Sequence, residues 1–383
     1  MNKNNKNNEN MEFSFKIESS FFNPKKPLII AELGTSHNGD IVKAKEMTSA
    51  AGRAGAECVK FQMVFADEIL HPNTGEVSLP HGRIRLYDRF KSLETPLSFY
   101  AEIKEYTESL GLLFLCTPFG LKSASLLREL KPKFVKIASP ELNFTGLLEE
   151  IADWKLPVLL SSGVSRLSDI ETAIDIFKKG HDNETSGICL LHCVTSYPAP
   201  LTDYNLKVIP NLAAVFGVPV GVSDHSAESG IIPALSVSMG ASVIEKHFCL
   251  SRKDPGLDDP IALEPEDFSQ MVRAVRRAAE TGQQETFQFF RNENGDSLIE
   301  QILGSGVKEL APSEKANYRH TNRSIHALRD ISPGETLKRG DYAVLRTEKN
   351  LRPGLEPCWE KALEGKIARK FIPDGEGIRF EDI

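Results

Sequence analysis

The sequence predicts an α/β fold in which a closed (β/α)8 barrel of the TIM type is followed by a small β-rich domain. Three observations carry this. From Pro27 onwards short apolar runs alternate with longer helix-period segments, and the rhythm repeats eight times. Most of these runs lack polar alternation, as expected of parallel strands covered on both faces. From about Thr321 the pattern changes to short alternating segments with Pro-Gly and Asp-Gly turns. A doubly wound open sheet is the alternative, but no Gly-x-Gly-x-x-Gly follows the first strand, and eight nearly equal units close naturally.

Taken in order, residues 1–25 are expected to be a flexible tail and 26–282 the barrel. A linker over 283–320 and a small domain over 321–383 follow. The predicted barrel strands are 28–34, 58–64, 113–119, 134–139, 158–163, 188–194, 218–225 and 242–248. Amphipathic helices lie between them. One starts at Ser168, where Ser168 and Glu171 have capping-box spacing and Ile170, Ala173, Ile174 and Phe177 form an apolar stripe. The last barrel helix covers roughly 265–281, and the polar stretch after it, rich in Gln, Asn and Glu, reads as the linker. The small domain contains an internal echo. Asp330-Ile331-Ser332-Pro333-Gly334-Glu335-Thr336-Leu337 recurs as Lys370-Phe371-Ile372-Pro373-Asp374-Gly375-Glu376-Gly377-Ile378, with one extra residue in the second copy. Two half-domains related by a pseudo-twofold axis are expected.

With 383 residues the chain can bury a full core, and its 40% hydrophobic content is that of a globular protein. A formal charge of −7 argues against a broad basic surface for nucleic acid. It does not forbid an anionic substrate, because a few lysines in a concave site bind phosphate whatever the net charge. No apolar run reaches the length of a membrane span, and the Asn/Lys-rich start is unlike a signal peptide. A cytoplasmic protein is expected. The cysteines sit mainly in strand candidates (Cys58, Cys116, Cys189, Cys193, Cys249) without zinc-ribbon or Cys-x-x-Cys spacing, so they read as reduced. Cys193, beside His192, reads as a buried small residue rather than a nucleophile.

Chemistry is expected at the C-terminal ends of the strands, which line one mouth of a parallel barrel. Side chains alternate along a strand, so Ser223 and His225 share a face of one strand, and Glu245 and His247 share a face of another. Two converging imidazoles suit a catalytic divalent metal, whereas either stretch alone would read as a hydrogen-bonded core histidine. The other strand-end polar residues are Glu32, Lys60, Gln62, Thr117, Lys136, Ser139, Glu141, Ser162, Thr195, Tyr197 and Asp224, with Asp258 in the loop beyond. Lys60 and Lys136 with hydroxyls and backbone amides would make a phosphate and carboxylate cradle. A metal, two lysines and a spare carboxylate suggest carbon–carbon bond chemistry on a phosphorylated or carboxylated substrate. A Schiff-base aldolase using Lys136 or Lys246 is the rival, ranked lower because it does not require paired strand-end histidines.

The segments Ala31-Glu32-Leu33-Gly34 with His37-Asn38-Gly39, Val59-Lys60-Phe61-Gln62, Thr117-Pro118-Phe119, Val135-Lys136-Ile137-Ala138-Ser139, Leu191-His192-Cys193 with Tyr197-Pro198, Gly221-Val222-Ser223-Asp224-His225 and Ile244-Glu245-Lys246-His247-Phe248 resemble the sialic acid synthases. Asn322-Arg323-Ser324 and Arg352-Pro353-Gly354 resemble that family's antifreeze-like (SAF) domain. The resemblance implies a transferase condensing phosphoenolpyruvate with a 2-acetamido sugar aldehyde such as N-acetylmannosamine. The products would be phosphate and a nine-carbon 2-keto acid. It further implies that His225 and His247 bind manganese or magnesium, and that Lys60, Thr117, Lys136, Ser139, Thr195, Tyr197 and Ser223 surround phosphoenolpyruvate. Gln62, Glu141 and Asp258 would meet the sugar, and Glu32 would sit near the water. Arg323 would reach the sugar's N-acyl group from a partner subunit in a domain-swapped homodimer. Ser36, Pro140, Thr195 and Ala262 depart from the family's usual residues. Legionaminic or pseudaminic acid synthesis, or a 9-phosphate product from a sugar 6-phosphate, therefore stays open beside N-acetylneuraminate. A small C-terminal domain serving as a carbohydrate-binding or ice-binding-like module on a barrel that has lost activity is the non-enzymatic alternative, opposed by the intact set Glu32, Lys60, Lys136, His225 and His247.

Overall fold

The computed structural model describes residues 14–79, 82–181 and 185–383. The described chain opens with an antiparallel hairpin, β1 (Phe15–Ile17) and β2 (Ser20–Phe22). The barrel strands β3 (Leu28–Gly34) and β4 (Cys58–Met63) follow, then a small hairpin of β5 (Glu76–Leu79) and β6 (Gly82–Arg85). The remaining barrel strands are β7 (Leu113–Pro118), β8 (Val135–Ile137), β9 (Val158–Ser161), β10 (Ile188–Cys193), β11 (Val220–Asp224) and β12 (Val243–His247). The parallel ladder runs β7-β4-β3-β12-β11-β10-β9-β8, and its end strands β7 and β8 lie side by side, which closes the barrel. All eight predicted strands are present, and the helix Pro265–Thr281 ends the barrel as expected.

Strand parity sorts the interior into an apolar floor and a polar mouth. Leu28, Ile30, Cys58, Leu115, Phe134, Leu159, Cys189, Leu191 and Val243 form one buried cluster with Phe15, Ile17 and Phe22 of the first hairpin. Residues of the opposite parity, such as Ile29, Ala31, Val59 and Phe61, pack outward against the helices. Continuing the inward parity toward the strand ends gives Glu32, Lys60, Gln62, Thr117, Lys136, Ser161, Ser223, Glu245 and His247.

Four expectations are corrected. The tail expected over 1–25 is partly ordered: the hairpin of residues 15–22 plugs the barrel floor, because each buried Phe or Ile side chain contributes ~1.5–3 kcal/mol. Residues 1–13 lie outside the described residues. The expected linker begins as two helices, Gln283–Asn294 and Asp296–Leu303, whose buried Phe290, Ile299, Ile302 and Leu303 anchor them to the barrel. The helix expected from Ser168 starts earlier, as Leu167–Gly180, and Asp169 Oδ2 accepts the Arg166 N–H at 2.8 Å in place of the Ser168/Glu171 pairing. Its stripe of Ile170, Ala173, Ile174 and Phe177 is buried as expected. The fourth correction concerns the small domain.

That domain is built on β13 (Arg323–Ala327) and β14 (Tyr342–Arg346). Ile331 and Ile372 exchange both backbone hydrogen bonds at 2.9 Å, so each pairs with its own counterpart in the repeat. Asp341 and Asp382 close equivalent turns, accepting from Lys338 N at 2.8 Å and Arg379 N at 2.9 Å. These pairs keep one constant offset, so no residue is inserted between the copies. Residue-for-residue exchange across the repeat is the signature of the expected pseudo-twofold. The domain docks on the loop after β4: Arg346 N donates to Ile69 O at 2.9 Å, and Asn350 Nδ2 donates to Thr74 O at 2.6 Å.

Candidate active site

The polar layer of the barrel centres on Glu245, which sequence reasoning placed beside His247 without giving it a role. Its Oε1 forms an ion pair with Lys60 Nζ at 2.8 Å and accepts from Lys136 Nζ at 3.0 Å and Ser223 Oγ at 2.8 Å. Lys136 also reaches Glu245 Oε2 at 3.1 Å and Ser161 Oγ at 2.6 Å. Burial would raise the Glu245 carboxyl, but Lys136 and Lys60 hold it far below the usual range. Burial lowers Lys136 to about 8, with Glu245 opposing and the Lys60 charge adding to the fall. Lys60 faces the same burial, yet Glu245 and Glu32 hold it above its usual value. One firmly ionised carboxylate shared by two ammonium groups leaves surplus positive charge, the condition for seating a phosphate or carboxylate.

Glu32 stands next to this cluster. Its Oε1 accepts from Gln62 Nε2 at 2.6 Å, whereas Oε2 lies 3.3 Å from Lys60 Nζ and has no hydrogen-bond partner among the described residues. Burial pushes the carboxyl up to about 7, against the pull of Lys60, and Glu245 and Asp258 push the same way. A carboxyl poised near neutrality can take and return a proton. Gly34 takes φ +54°, a left-handed conformation that favours glycine, and an added Cβ would meet Asp258 Oδ2, Gln62 Nε2 and Glu32 Oε1 at ordinary contact distance, 3.5 Å each.

The two histidines meet as expected. Their ring centroids are 5.5 Å apart, and Tyr197 stacks on His225 at 4.3 Å while meeting His247 edge-on at 6.0 Å. His225 Nδ1 lies 2.8 Å from Val194 O, which assigns the proton to that nitrogen and leaves Nε2 facing Tyr197 Oη, 3.3 Å away. Burial, followed by the proximity of His225 and Lys60, drives His247 well below its usual value, so it is neutral at physiological pH. Asp258 Oδ2 is 3.8 Å from His247 Nδ1, with its carboxyl raised to about 6 by burial. Among the described residues no group of three or more His, Cys, Asp or Glu side chains forms a metal cage. Burial would lower His225 too, but Cys193 holds its imidazole above the usual value. With His225 deprotonated, the two imidazoles and the nearby carboxylate fit a catalytic divalent ion that keeps positions open for substrate.

A second pocket of small polar groups surrounds Gly163. An added Cβ there would fall 2.1 Å from Thr195 Oγ1, 2.9 Å from Ser139 Oγ and 3.2 Å from Cys193 Sγ, so only glycine fits. Gly163 N donates to Ser139 Oγ at 3.1 Å, while the buried hydroxyls of Thr195 and Thr117 have no hydrogen-bond partner among the described residues. Cys193 is buried, with Sγ 3.6 Å from His225 Nδ1.

Glu141 and Arg323 are brought together, apart from the lysine and histidine cluster. Both side chains are fully buried, and Glu141 Oε1 accepts from Arg323 Nε at 3.0 Å and from Arg346 Nη2 at 2.6 Å. The other Arg323 donors reach backbone carbonyls of Glu68, Ile69, Phe119 and Val344. Within this chain, therefore, Arg323 locks the small domain to its own barrel, and Glu141 Oε2 has no hydrogen-bond partner among the described residues. Asp224, Ser162 and Lys246 have the outward parity. Ser162 Oγ donates to Leu191 O at 3.0 Å, and Lys246 pairs with Asp224 at 2.7 Å, which removes Lys246 as a Schiff-base amine in the mouth.

Sequence reasoning also missed the segment that follows Leu303. Glu314, almost fully buried, accepts from Val164 N at 3.0 Å and Thr195 N at 2.9 Å through Oε2, and Asn317 Nδ2 donates to Thr195 O at 2.9 Å. The segment ties down the loops after β9 and β10. A glutamate in a polar stretch carries no signal for this, since its partners are backbone amides distant in sequence.

The chain matches the NeuB family over residues 47–286 and the SAF domain over residues 322–383. It is 34% identical to N,N'-diacetyllegionaminic acid synthase of Legionella pneumophila, over 85% of this chain and 86% of that protein. Among solved structures it is similar to the spore coat polysaccharide biosynthesis protein SpsE of Bacillus subtilis, with TM-score 0.80 and 32% identity over 97% of this chain and 99% of that one. It is also similar to an N-acetylneuraminic acid synthetase of Leptospira borgpetersenii, with TM-score 0.63 and 33% identity over 79% of this chain and 94% of that one. The six cysteines are free, and no described helix is long and apolar enough to cross a membrane.

Proposed function

The chain belongs to the NeuB family, and on that footing we propose that it is a transferase condensing phosphoenolpyruvate with a 2-acetamido sugar aldehyde to give phosphate and a nine-carbon 2-keto acid. The observation that carries this reading is the Glu245 carboxylate shared by Lys60 and Lys136 beside two histidines 5.5 Å apart. That arrangement supplies a seat for an anion and a pair of imidazole nitrogens in one mouth.

Lys60 and Lys136 bind the phosphate and carboxylate of phosphoenolpyruvate, with Thr117, Ser139, Thr195, Tyr197 and Ser223 around it. The unpartnered hydroxyls of Thr117 and Thr195 support this placement. Gln62, Asp258 and Glu141 Oε2 meet the sugar. For Arg323 to touch the N-acyl group it must release one of its present acceptors. A manganese or magnesium ion held by His225 and His247 would draw charge from the aldehyde oxygen. C3 of phosphoenolpyruvate attacks the aldehyde carbon, and cationic character develops at C2. Water adds at C2 as Glu32 Oε2 takes its proton. Collapse of the tetrahedral centre breaks the C–O bond to phosphate and leaves the 2-keto group, while the lysines carry the charge of the departing phosphate.

N-acetylmannosamine, giving N-acetylneuraminate, is the first acceptor to test. A diacetamido hexose is the second, favoured by the 34% identity to a legionaminic acid synthase. The reduced cysteines and the substrates support a cytoplasmic setting, and a domain-swapped homodimer would exchange the small domains that here cover their own barrels. The test is phosphate release from phosphoenolpyruvate by EDTA-treated protein with manganese restored, against N-acetylmannosamine, its 6-phosphate and diacetamido hexoses. Metal-dependent release with one acceptor establishes the reaction and identifies the sugar. No release with any of them rejects it.

A further inference from the structure

The two histidine-bearing strands are joined by a buried ion pair on the face turned away from the mouth. Asp224 immediately precedes His225 and Lys246 immediately precedes His247. The two are direct partners in the parallel register of β11 and β12. Parity turns the imidazoles inward and this pair outward, toward the helix layer. Lys246 Nζ lies 2.7 Å from Asp224 Oδ2, and both side chains have no solvent exposure.

All of the polar capacity of this pair is used. Lys246 Nζ donates to Asp224 Oδ2, to Ser226 O at 2.6 Å and to Ser226 Oγ at 3.2 Å, which accounts for its three protons. Asp224 Oδ1 accepts from Tyr204 Oη at 2.5 Å and Ser226 N at 2.8 Å, while Oδ2 also accepts from Ser226 Oγ at 3.1 Å. The Tyr204 hydroxyl then accepts the backbone N–H of His225 at 2.8 Å. Tyr204 is itself fully buried, and its carbonyl is held by His192 Nε2 at 2.5 Å. A continuous chain thus leads from the backbone of β12, through Lys246, Asp224 and Tyr204, to the backbone of His225.

We propose that the Lys246–Asp224–Tyr204 chain is a strut whose role is to set the separation and aim of His225 and His247, making these three positioning residues for the divalent-ion site. Burying an ion pair brings little net stability over apolar residues of the same size, so a fully satisfied pair at this point serves geometry better than stability. Hydrogen bonding behind ligating residues typically accounts for 10–100-fold in metal affinity. The pair touches neither the anion cradle nor the sugar-facing residues, so its loss should act on the ion site first. Lys246 needs three donors and one positive charge here, and arginine supplies both through a planar guanidinium on a three-carbon stem.

The inference rests on the divalent-ion reading above, and its test separates the two. Manganese binding is measured directly, from the electron paramagnetic resonance signal of free Mn2+ during titration, for wild type, Lys246→Met, Tyr204→Phe and Lys246→Arg. Wild-type protein that takes up no Mn2+ rejects the ion site itself. With wild-type binding present, Lys246→Met is expected to weaken it ~10–100-fold, Tyr204→Phe to weaken it by a smaller factor, and Lys246→Arg to restore most of it. The KM for phosphoenolpyruvate at saturating Mn2+ should move far less than the Mn2+ affinity. Tyr204→Phe deletes one hydroxyl from an otherwise unchanged ring and remains informative if Lys246→Met does not fold. Folded variants that bind Mn2+ as wild type does overturn the strut.

Discussion

Lys60 and Lys136, from different strands of the barrel, converge on a single oxygen, Glu245 Oε1, at 2.8 and 3.0 Å. Two ammonium groups on one carboxylate oxygen form a charge-asymmetric cluster, and an incoming anion completes it.

Replacing Glu245 with Gln leaves two buried ammonium groups with less compensation. Breaking a buried pair by removing one partner costs ~3–5 kcal/mol, so Glu245→Gln should lower the urea midpoint markedly. Inorganic phosphate should recover more stability in the variant than in wild type, because it binds the folded state and replaces the missing charge. Equal phosphate effects on both proteins would show that Glu245 does not govern the anion seat.

The free-enzyme pH profile should be bell-shaped. Glu32, raised by burial to about 7, acts as a base only above that value, and Lys136, lowered by burial to about 8, loses its charge above that. Phosphate release under kcat/KM conditions should therefore fall on both sides of a maximum between them. Glu32→Gln should lower kcat by ~10²–10⁴ and abolish the acid limb. An acid limb that survives in the variant would reassign it to Asp258, raised to about 6.

Arg323→Met should act first on domain docking. It removes one of the two guanidinium groups on Glu141 and every hydrogen bond from Arg323 to the loops after β4 and β7. A stability loss of ~3 kcal/mol is expected, with faster limited proteolysis between residues 304 and 322. If Tm and proteolysis stay unchanged while the KM for the sugar rises, Arg323 acts on substrate and not on docking.

Stability should fall on mild acidification. Burial lowers His326 and His37 to about 4 and His192 to about 3, so each is neutral in the folded protein at pH 5. Above the unfolded value of ~6.5 neither state carries the proton and the contribution is complete. As pH drops below ~6.5 the unfolded chain protonates first, and stability is lost progressively toward the folded values. Going from pH 7 to pH 5 should cost ~2 kcal/mol per such histidine in chemical denaturation. A free energy of unfolding that is flat over this range would contradict the burial assigned to them.

The hairpin at the barrel floor supports a separate expectation. Phe15→Ala should lower stability by ~3–5 kcal/mol, since it empties a fully buried site in the cluster that includes Leu28 and Leu191. A change below ~0.5 kcal/mol would return residues 14–25 to the status of a tail.

The barrel and most of its mouth were legible before any coordinates, because strand periodicity is local. Eight apolar runs announced the strands, and parity along each run aimed Glu32, Lys60, Gln62, Lys136, Ser223 and His247 inward. The same parity rule placed Glu245 beside His247, yet not its function, because that depends on two lysines from β4 and β8. Segments lacking periodicity misled. The polar stretch after residue 282 folded into helices because a few apolar residues found the barrel surface, and Phe15 and Ile17 looked like part of a tail because their partners are barrel residues far along the chain. The sequence by itself determined the strand order, the inward-facing residue types and the repeat in the small domain, all of which follow from spacing along one segment. Only the tertiary structure decided that Glu245 unites the lysines, that Asp224 and Lys246 tie the histidine strands together, and that Glu141 receives Arg323 and Arg346. Charge pairing between distant segments depends on closure of the barrel and docking of the small domain, and neither leaves a local pattern to read.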